Sequence, residues 1–552
     1  MDDFQKNLTN YSLLILCAGA RSYHQDFCLI EPLLNIGNTL AIDRIKKRYS
    51  SVKLKIYIAY NENPQILCKL ESFKDFHFIN VGNTEGAIQT IDISLNYIKE
   101  KYVEILPITT IPDKEYERKK AIYFGDKEIF KENWSSLKYL KSTKVKFSRK
   151  KDKENDYQNS YPFTGRISSS RLDLIDAIKS IPKNQKNDLI NLAIILYSKY
   201  KYEIIHEKWF DLGHSVTYIE TKNQDISSRA FNKLIFNSKK FTITKLSKKS
   251  LLLSEEKDYY KSIPKKYARY FPNVFTEKNN NNIESLEMEY IAFPTLAEIF
   301  LFRRMGPNFW HKLLSYIYYI YEDFYEYREP YDHENLSWFY SQKLENRIIE
   351  LENLLENDNK FFLGNIYDEK IILNGKKIIP SLKSTITEVL DFLKSFEKNR
   401  PVFFGHGDLC FNNILVEPLS SSVKLIDPKA FRNSRNNKIG LVDPMYDLAK
   451  LNHSFSSLYD SIVNNLFILN KNGKEVEFFV IKPPNYDVAN YYFKNIFGAK
   501  IIESENVRLL TASLFLSMLP LHSDNPNRVI GFSIVGICLF HNININNLII
   551  KL

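Results

Sequence analysis

Between positions 405 and 428 the chain places three oxygen-bearing side chains close together: Asp408 in GHGDLC, Asn413 five residues later, and Asp427 at the end of VKLID. Asp408 follows His406 and Gly407, a pair suited to a tight turn. A carboxylate held at such a turn can accept or orient the proton of a hydroxyl. An amide oxygen at 413 and a carboxylate at 427, 19 residues beyond Asp408, are hard oxygen ligands. Magnesium takes one or two carboxylates and lets a substrate phosphate supply the rest. Taken singly, HGD reads as a turn and IDP as a strand end. Together, in this order, they point to phosphoryl transfer from a nucleotide to a hydroxyl.

Such residues need elements to hold them. RAFNKLIFN (229–237) and KKFTITKLS (239–247) read as two strands joined by a polar turn, LLLSEEKDYYKSI (251–263) as a helix, and SLEMEYI (285–291) as a further strand after the Asn-rich loop 279–282. From Thr295 to Phe396 the pattern is mostly helical. Short strands follow around 402–404, 413–417 and 422–427, then more helices to the end. Two strands, a helix, a strand and then a helical lobe make an α+β, two-lobed layout. The first 220 residues differ. SLLILCA (12–18), KLKIYIAY (53–60), FHFINV (76–81) and VEILPIT (103–109) read as strands, and NTLAIDRIKKRY (38–49) and AIQTIDISLNYIKEKY (87–102) as helices. Strands alternating with helices predict an α/β domain with a mixed, mostly parallel sheet. This pattern ends around WFDLGHSVTYIE (209–220).

Composition sets the bounds. A chain of 552 residues is too long for one core, and 44% hydrophobic with 26% charged residues is an ordinary globular balance. The net charge of +11 favours anionic partners such as nucleotides. The basic run Lys144–Lys153 reads as a solvated loop, and no nucleic-acid motif accompanies it. Five widely spaced cysteines, Cys17, Cys28, Cys68, Cys410 and Cys538, show no CxxC. They argue against a disulfide framework and a zinc site, and for a reducing cytoplasm. MDDFQKNLTNYS is no signal peptide, and the longest apolar stretch, Val529–Phe540, is too short to span a bilayer, so a cytoplasmic chain without a transmembrane segment is expected.

GHGDLCFNNIL (405–415) and SVKLIDP (422–428) resemble the aminoglycoside phosphotransferase and choline kinase family. The resemblance implies a two-lobed kinase fold over 223–552, with lobes of about 223–293 and 294–552. ATP and magnesium are the implied cofactors, and a small hydroxylated molecule is the acceptor. It makes Asp408 the catalytic carboxylate and Asn413 and Asp427 the magnesium ligands. GLVDPMYDLAKL (440–451) is similar to the family's helix start after the metal loop, with Asp447 hydrogen-bonding the catalytic loop beside His406. Lys245 matches the phosphate-binding lysine and Glu256 its helix partner, with Lys248 and Glu255 as competing registers. Met288, Glu289, Tyr290 and Ile291 match the hinge that offers backbone groups to adenine. No glycine-rich loop stands in 229–240, which speaks against a protein kinase. His522 and Asp524 in SMLPLHSDNPNR (517–528) lie at a helix end, where His522 lines the acceptor pocket or serves as a structural histidine.

Residues 1–222 resemble sugar-1-phosphate and phosphocholine nucleotidyltransferases. LLILCAGARSY (13–23), TEGAIQTI (84–91), YPFTGRISSS (161–170) and WFDLGH (209–214) carry the likeness, which makes Gly19, Arg21, Gly86 and Asp211 the nucleotide-site residues. The departures are a phosphate loop with one glycine, Glu31 where a lysine is expected, and Thr109 where a metal-binding Asp is expected. A carboxylate at 31 repels a triphosphate, so this domain is expected to keep the fold without the catalysis. A fusion of this plan resembles proteins of bacterial capsule and surface-polysaccharide synthesis. It implies an amino alcohol, polyol or sugar as acceptor and capsule enzymes as associates, with no nucleic acid. The rival expectations are a bifunctional kinase and nucleotidyltransferase, and a nucleotide-binding scaffold without turnover.

Overall fold

The computed structural model describes residues 10–18, 31–36, 39–52, 54–62, 64–113, 120–126, 134–140, 145–149, 160–182, 185–214, 218, 232–237, 239–247, 250–275, 284–326, 328–329, 333–357, 363–398, 400–429, 431–432 and 439–551. The chain divides into two compact units, Met1–Asn223 and Gln224–Leu552.

The first unit is built on nine strands: β1 (Tyr11–Leu16), β2 (Lys55–Tyr60), β3 (Phe76–Asn80), β4 (Tyr102–Pro107), β5 (Ala121–Gly125), β6 (Ser136–Tyr139), β7 (Val145–Ser148), β8 (Tyr161–Ser170) and β9 (Glu203–Glu207). The order β7-β6-β8-β4-β1-β2-β3 has β5 paired with β8 and β9 with β5. Strands β4-β1-β2-β3 are parallel, as are β5 and β9, while β8 runs antiparallel to β4, β5 and β6. All six residues of β1 are buried, as a central strand covered on both faces requires. Helix α1 (Ala41–Arg48) buries Ala41, Ile42 and Ile45 and carries Lys46, Lys47 and Arg48 in its last turn, where basic groups suit the helix dipole. Helix α2 (Ala87–Ser94) is shorter than its sequence pattern predicts. The pairing of Tyr102 with Tyr11 obliges residues 95–101 to return the chain to the start of β4. Helices α3 (Arg171–Ser180) and α4 (Ile190–Tyr200) complete the layer, with the Ser170 hydroxyl capping α3 at the Asp173 N–H.

Arg166, on β8, is fully buried. Its Nε donates to Glu104 at 2.7 Å, its Nη1 pairs with Glu207, and its guanidinium stacks 4.1 Å from the Tyr123 ring. Tyr49 donates its hydroxyl to the same Glu104.

The second unit opens with a four-stranded sheet of β10 (Asn232–Asn237), β11 (Thr242–Ser247), β12 (Val274–Phe275) and β13 (Glu284–Glu289) in the order β10-β11-β13-β12, with helix α5 (Ser250–Ser262) between β11 and β12. A helical lobe follows: α6 (Pro307–Tyr325), α7 (Ser341–Asn357) and α8 (Leu382–Phe396), then α9 (Pro444–Phe455), α10 (Tyr486–Phe497), α11 (Glu505–Ser517) and α12 (Pro526–Phe540). Strands β14 (Val402–Phe404), β15 (Ile414–Val416), β16 (Val423–Leu425) and β17 (Ile439–Val442) lie between α8 and α9. The lobe also contains a sheet where the sequence pattern predicts helix. Strands β18 (Phe467–Asn472) and β19 (Glu475–Ile481) pair antiparallel, and Ile371–Leu373 with Lys377–Ile379 adds a second hairpin beside β19. Both hairpins turn at an Asn-Gly pair. Asn374 (φ 53°), Gly375 (φ 63°) and Gly473 (φ 59°) take the left-handed conformation that such turns need. Among the described residues no helix is long and apolar enough to cross a membrane.

Replacing Arg166 by Met strands Glu104 and Glu207 as buried carboxylates. Loss of one partner from a buried ion pair costs about 3–5 kcal/mol. Hydrogen exchange read by mass spectrometry is expected to show faster exchange across β4, β8 and β9 in Arg166→Met, with β11 and β13 unchanged.

Candidate active site

The catalytic-loop candidates hang between β14 and β15. Gly405 follows β14, and a Cβ there would stand 1.9 Å from Val442 Cγ1. The loop backbone packs directly on β17 at this point, which only glycine permits. Gly407 takes φ 75°, also in the glycine region. These two residues swing the chain so that His406 faces inward, fully buried. The His406 Nδ1 accepts the Asp408 N–H at 3.2 Å, which leaves Nε2 to donate to the Ile426 carbonyl at 3.0 Å. His406 is thereby a neutral peg joining the Asp408 turn to the strand that ends at Asp427. Burial lowers its pKa to about 4.

Asp447, in the first turn of α9, accepts the His406 N–H at 2.8 Å. Burial pushes its carboxyl up to about 7, against the backbone N–H groups of His406, Gly407 and Leu409. Asp443 caps α9 at Met445 N–H (2.9 Å) and takes a bidentate pair from Arg400 at 2.8 and 3.1 Å. The helix start is therefore fixed from both sides, and Asp447 with it.

The loop is closed by its own backbone. Asn413 donates its side-chain amide to the Asp408 carbonyl at 2.8 Å, and the Ile426 N–H reaches the Asn413 carbonyl at 3.0 Å. Asp427 follows β16 with φ 54°, a left-handed conformation that Asp tolerates better than most residues. Its Oδ1 meets Lys245 Nζ at 2.7 Å and its Oδ2 meets Lys429 Nζ at 3.3 Å. Lys245, on β11, also pairs with Glu256 on α5 at 2.5 Å. Glu255 is exposed on the same helix, and Lys248 lies outside the described residues. Burial pushes the Asp427 carboxyl up, but Lys429 and Lys245 outweigh it and hold the group ionised. Burial and the Asp427 charge raise Glu256.

Asp408 sits between two ammonium groups that motif reading did not single out: Lys450 at 3.0 Å and Lys429 at 3.1 Å. Burial favours its neutral form, and the two lysines reverse that, keeping it well below the usual carboxylate range. Lys450 lies three residues beyond Asp447 on the buried side of α9. Its sequence signal was a charged residue in an otherwise apolar helix segment, LAKL.

In the hinge, the N–H of Glu289 donates to the Asn273 carbonyl and that of Tyr290 to the Phe241 carbonyl. Met288 is buried in the sheet. The Ile291 N–H has no backbone partner among the described residues. His522 and Asp524 both face Arg528, at 3.4 and 3.5 Å, and the His522 ring packs edge-on against Phe532.

In the first unit, Gly19 and Arg21 lie outside the described residues. Gly86 precedes α2, where a Cβ would stand 2.8 Å from the Asn187 backbone, so packing alone asks for glycine. Asp211 is buried, accepts the Gly213 N–H at 3.1 Å and pairs with His214 at 2.8 Å. Gly213 stands between Asp211 and Thr109, with its Cβ position 3.3 Å from the Asp211 Oδ1 and 3.6 Å from the Thr109 Cβ. The carboxylate and the threonine that replaces its expected partner are thus neighbours.

No family model matches the chain, and no curated protein matches it. Several solved structures are similar to part of it. HddC from Yersinia pseudotuberculosis, complexed with GMP-PN, is 14% identical over 39% of this chain and 99% of its own, with a TM-score of 0.29. A UDP-glucose pyrophosphorylase complexed with UDP-glucose is 14% identical over 39% and 97%, with a TM-score of 0.32. A UTP-bound UGPase from Acinetobacter baumannii is 9% identical over 38% and 92%, with a TM-score of 0.30. Identities and TM-scores this low carry no assignment of activity.

His406 is neutral in the fold, while an unfolded histidine takes a proton below its ordinary value of 6.5. The unfolded chain then binds the extra proton, so stability falls as pH drops from 6.5 toward 4. For one histidine the loss between about pH 7 and about pH 4.5 is about 2 kcal/mol. Urea unfolding at those two pH values is expected to show a smaller acid loss for His406→Asn than for the unsubstituted chain.

Proposed function

We propose that the second unit is an ATP- and magnesium-dependent phosphotransferase acting on a hydroxyl of a small molecule. The observation that carries this reading is the four-residue constellation Lys245, Glu256, Asp427 and Asp408. A lysine from the sheet bridges a helix glutamate and the aspartate at the end of β16, and a second aspartate stands on the loop laced to it. In phosphoryl transfer the protein's task is to position the reactants and stabilise charge.

The donor set suits magnesium. Asp427 offers a carboxylate already wanted by two cations. Asn413, its amide nitrogen committed to the Asp408 carbonyl, keeps Oδ1 as an acceptor. Among the described residues no group of three or more His, Cys, Asp or Glu forms a cage, and magnesium held against nucleotide phosphates does not need one. When bound, magnesium would neutralise phosphate charge at Asn413 and Asp427. The chain's own residues do the rest. The Ile291 N–H offers adenine a donor. Lys245, aligned by Glu256, holds phosphate oxygens. Asp408, ionised at neutral pH, accepts a hydrogen bond from the acceptor hydroxyl and aims its oxygen at the γ-phosphorus. As the new O–P bond forms and the bond to the β-phosphate oxygen breaks, the hydroxyl proton passes to Asp408 and ADP leaves.

The acceptor class in this reading is an amino alcohol, polyol or sugar, and the biological setting is surface-polysaccharide synthesis in the cytoplasm. The second reading is a bifunctional enzyme whose first unit also consumes a nucleoside triphosphate. Buried Asp211 favours it, and Thr109 beside it, supplying no second carboxylate, weighs against it. Pyrophosphate release from CTP or UTP that disappears in Asp211→Ala establishes the second reading, and its absence retires it.

Asp408→Asn keeps the shape and removes the proton acceptor, so turnover is expected to fall ~10²–10⁴-fold with magnesium-ATP affinity nearly unchanged. Asp427→Asn is expected to weaken both. Steady-state rates and calorimetric ATP binding check the pair. Near-normal turnover in Asp408→Asn removes Asp408 from the chemistry.

A further inference from the structure

One ammonium group touches both carboxylates on which the proposed chemistry depends. Lys429 Nζ stands 3.1 Å from Asp408 Oδ2 and 3.3 Å from Asp427 Oδ2. Each carboxylate gives its other oxygen to a different lysine. Asp408 Oδ1 meets Lys450 at 3.0 Å, and Asp427 Oδ1 meets Lys245 at 2.7 Å. Three lysines thus share two carboxylates, and Lys429 is the one that bridges them.

The three are not held alike. The side chains of Lys245 and Lys450 are 13% and 9% exposed, and that of Lys429 is 51% exposed. Lys245 is also pinned by Glu256 at 2.5 Å. Lys450 lies 6.0 Å over the ring of Tyr446, whose hydroxyl takes a hydrogen bond from Lys343 at 2.5 Å. A half-exposed ammonium regains water as it swings away, so its ion pairs cost little to break. A buried one would leave its carboxylate unpaired in a low dielectric. The Lys429 backbone has no need to move, since its N–H donates to the His406 carbonyl at 2.8 Å. The anchor stays on the loop that carries Asp408 while the long side chain rotates.

Lys429 holds the two oxygens that the reaction calls for. With Oδ1 of Asp427 given to a buried lysine, Oδ2 is the oxygen left for a metal. With Oδ1 of Asp408 given to a buried lysine, Oδ2 is the oxygen left for an acceptor hydroxyl. An ammonium and a divalent cation at the same carboxylate repel each other.

Resting on the phosphotransferase reading, we propose that Lys429 is a displaceable counter-ion, which withdraws from Asp427 and Asp408 together when a divalent cation binds, so that Asp408 Oδ2 opens to the acceptor only once the metal is in place. One side chain then ties metal loading to the availability of the carboxylate that takes the proton.

Two measurements on the full chain test it, both without turnover. In the first, manganese(II) alone is titrated and the unbound ion is read by electron paramagnetic resonance. Lys429→Met is expected to bind it at least about fivefold more tightly than the unsubstituted chain, with Lys429→Arg within about twofold. Lys429→Gln is expected to match Lys429→Met. The added affinity is expected to vanish in the double variant with Asp427→Asn. Equal or weaker binding in Lys429→Met and Lys429→Gln, or no binding in any of the proteins, overturns the inference. In the second, brief acetylation by acetic anhydride is read at each lysine by peptide mass spectrometry. Acetylation at Lys429 is expected to rise at least about threefold when manganese(II) is added, with Lys245 and Lys450 staying protected. No rise at Lys429 overturns the withdrawal. Calorimetry with magnesium and β,γ-imido-ATP separates this inference from the reading beneath it. If the ATP analogue binds and Lys429 behaves as a bystander, the counter-ion falls and the phosphotransferase stands. If manganese(II) behaves as expected and the analogue does not bind, the counter-ion stands and the phosphotransferase reading falls.

Discussion

The second unit turns on one ammonium group. Lys245 meets Glu256, eleven residues away, and Asp427, 182 residues away. That single side chain joins β11, α5 and the loop after β16. Without it Glu256 and Asp427 would lose the cation they share, and Asp427 would keep only the more distant Lys429. With it, Asp427 stays ionised in a left-handed backbone conformation and the loop beyond β16 has a fixed end. A local pair (Lys245 and Glu256) is thus coupled to a distant one (Lys245 and Asp427), and the site exists only where both are made.

Helix α9 does the corresponding work for the loop that carries Asp408. Its start is pinned by Asp443, which caps the helix and takes both hydrogen bonds of Arg400. One turn on, Asp447 holds the His406 N–H, and three residues later Lys450 reaches Asp408. One buried helix therefore shapes the loop with a carboxylate and sets the charge of its central residue with a lysine. His406 contributes the third tie, between the loop and the residue before Asp427. The whole arrangement is densely bonded, which fixes the positions of its charged groups.

The first unit spends its buried charge differently. Arg166, Glu104 and Glu207, on three strands of the sheet, are buried and bonded to one another, and Tyr49 joins them at Glu104. Asp211, by contrast, lies beside Thr109 and His214.

Residue order alone was enough to mark Asp408, Asn413 and Asp427, because they fall within 20 positions and their spacing is set by one loop and one two-stranded hairpin. It was enough to mark the first strand as buried, because LLILCA (13–18) is six apolar residues in a row with no polar face to offer. The Lys245–Glu256 pair was legible with two rivals, Lys248 and Glu255; packing buries Glu256 and exposes Glu255, and Lys248 lies outside the described residues. The hairpins at Asn374-Gly375 and Asn472-Gly473 were written in the sequence but lay within a helical context that hid them. Lys343 was not legible at all, and Lys450 only as one charged residue in the apolar segment LAKL. A lysine in a helical stretch ordinarily signals a solvated face, and only the approach of α7 to α9 turns these two inward toward Tyr446 and Asp408. Sequence determines which side chains are available and how they fall along one element. Which charges share a desolvated volume is decided between elements a hundred residues apart, and that is a property of the packed fold alone.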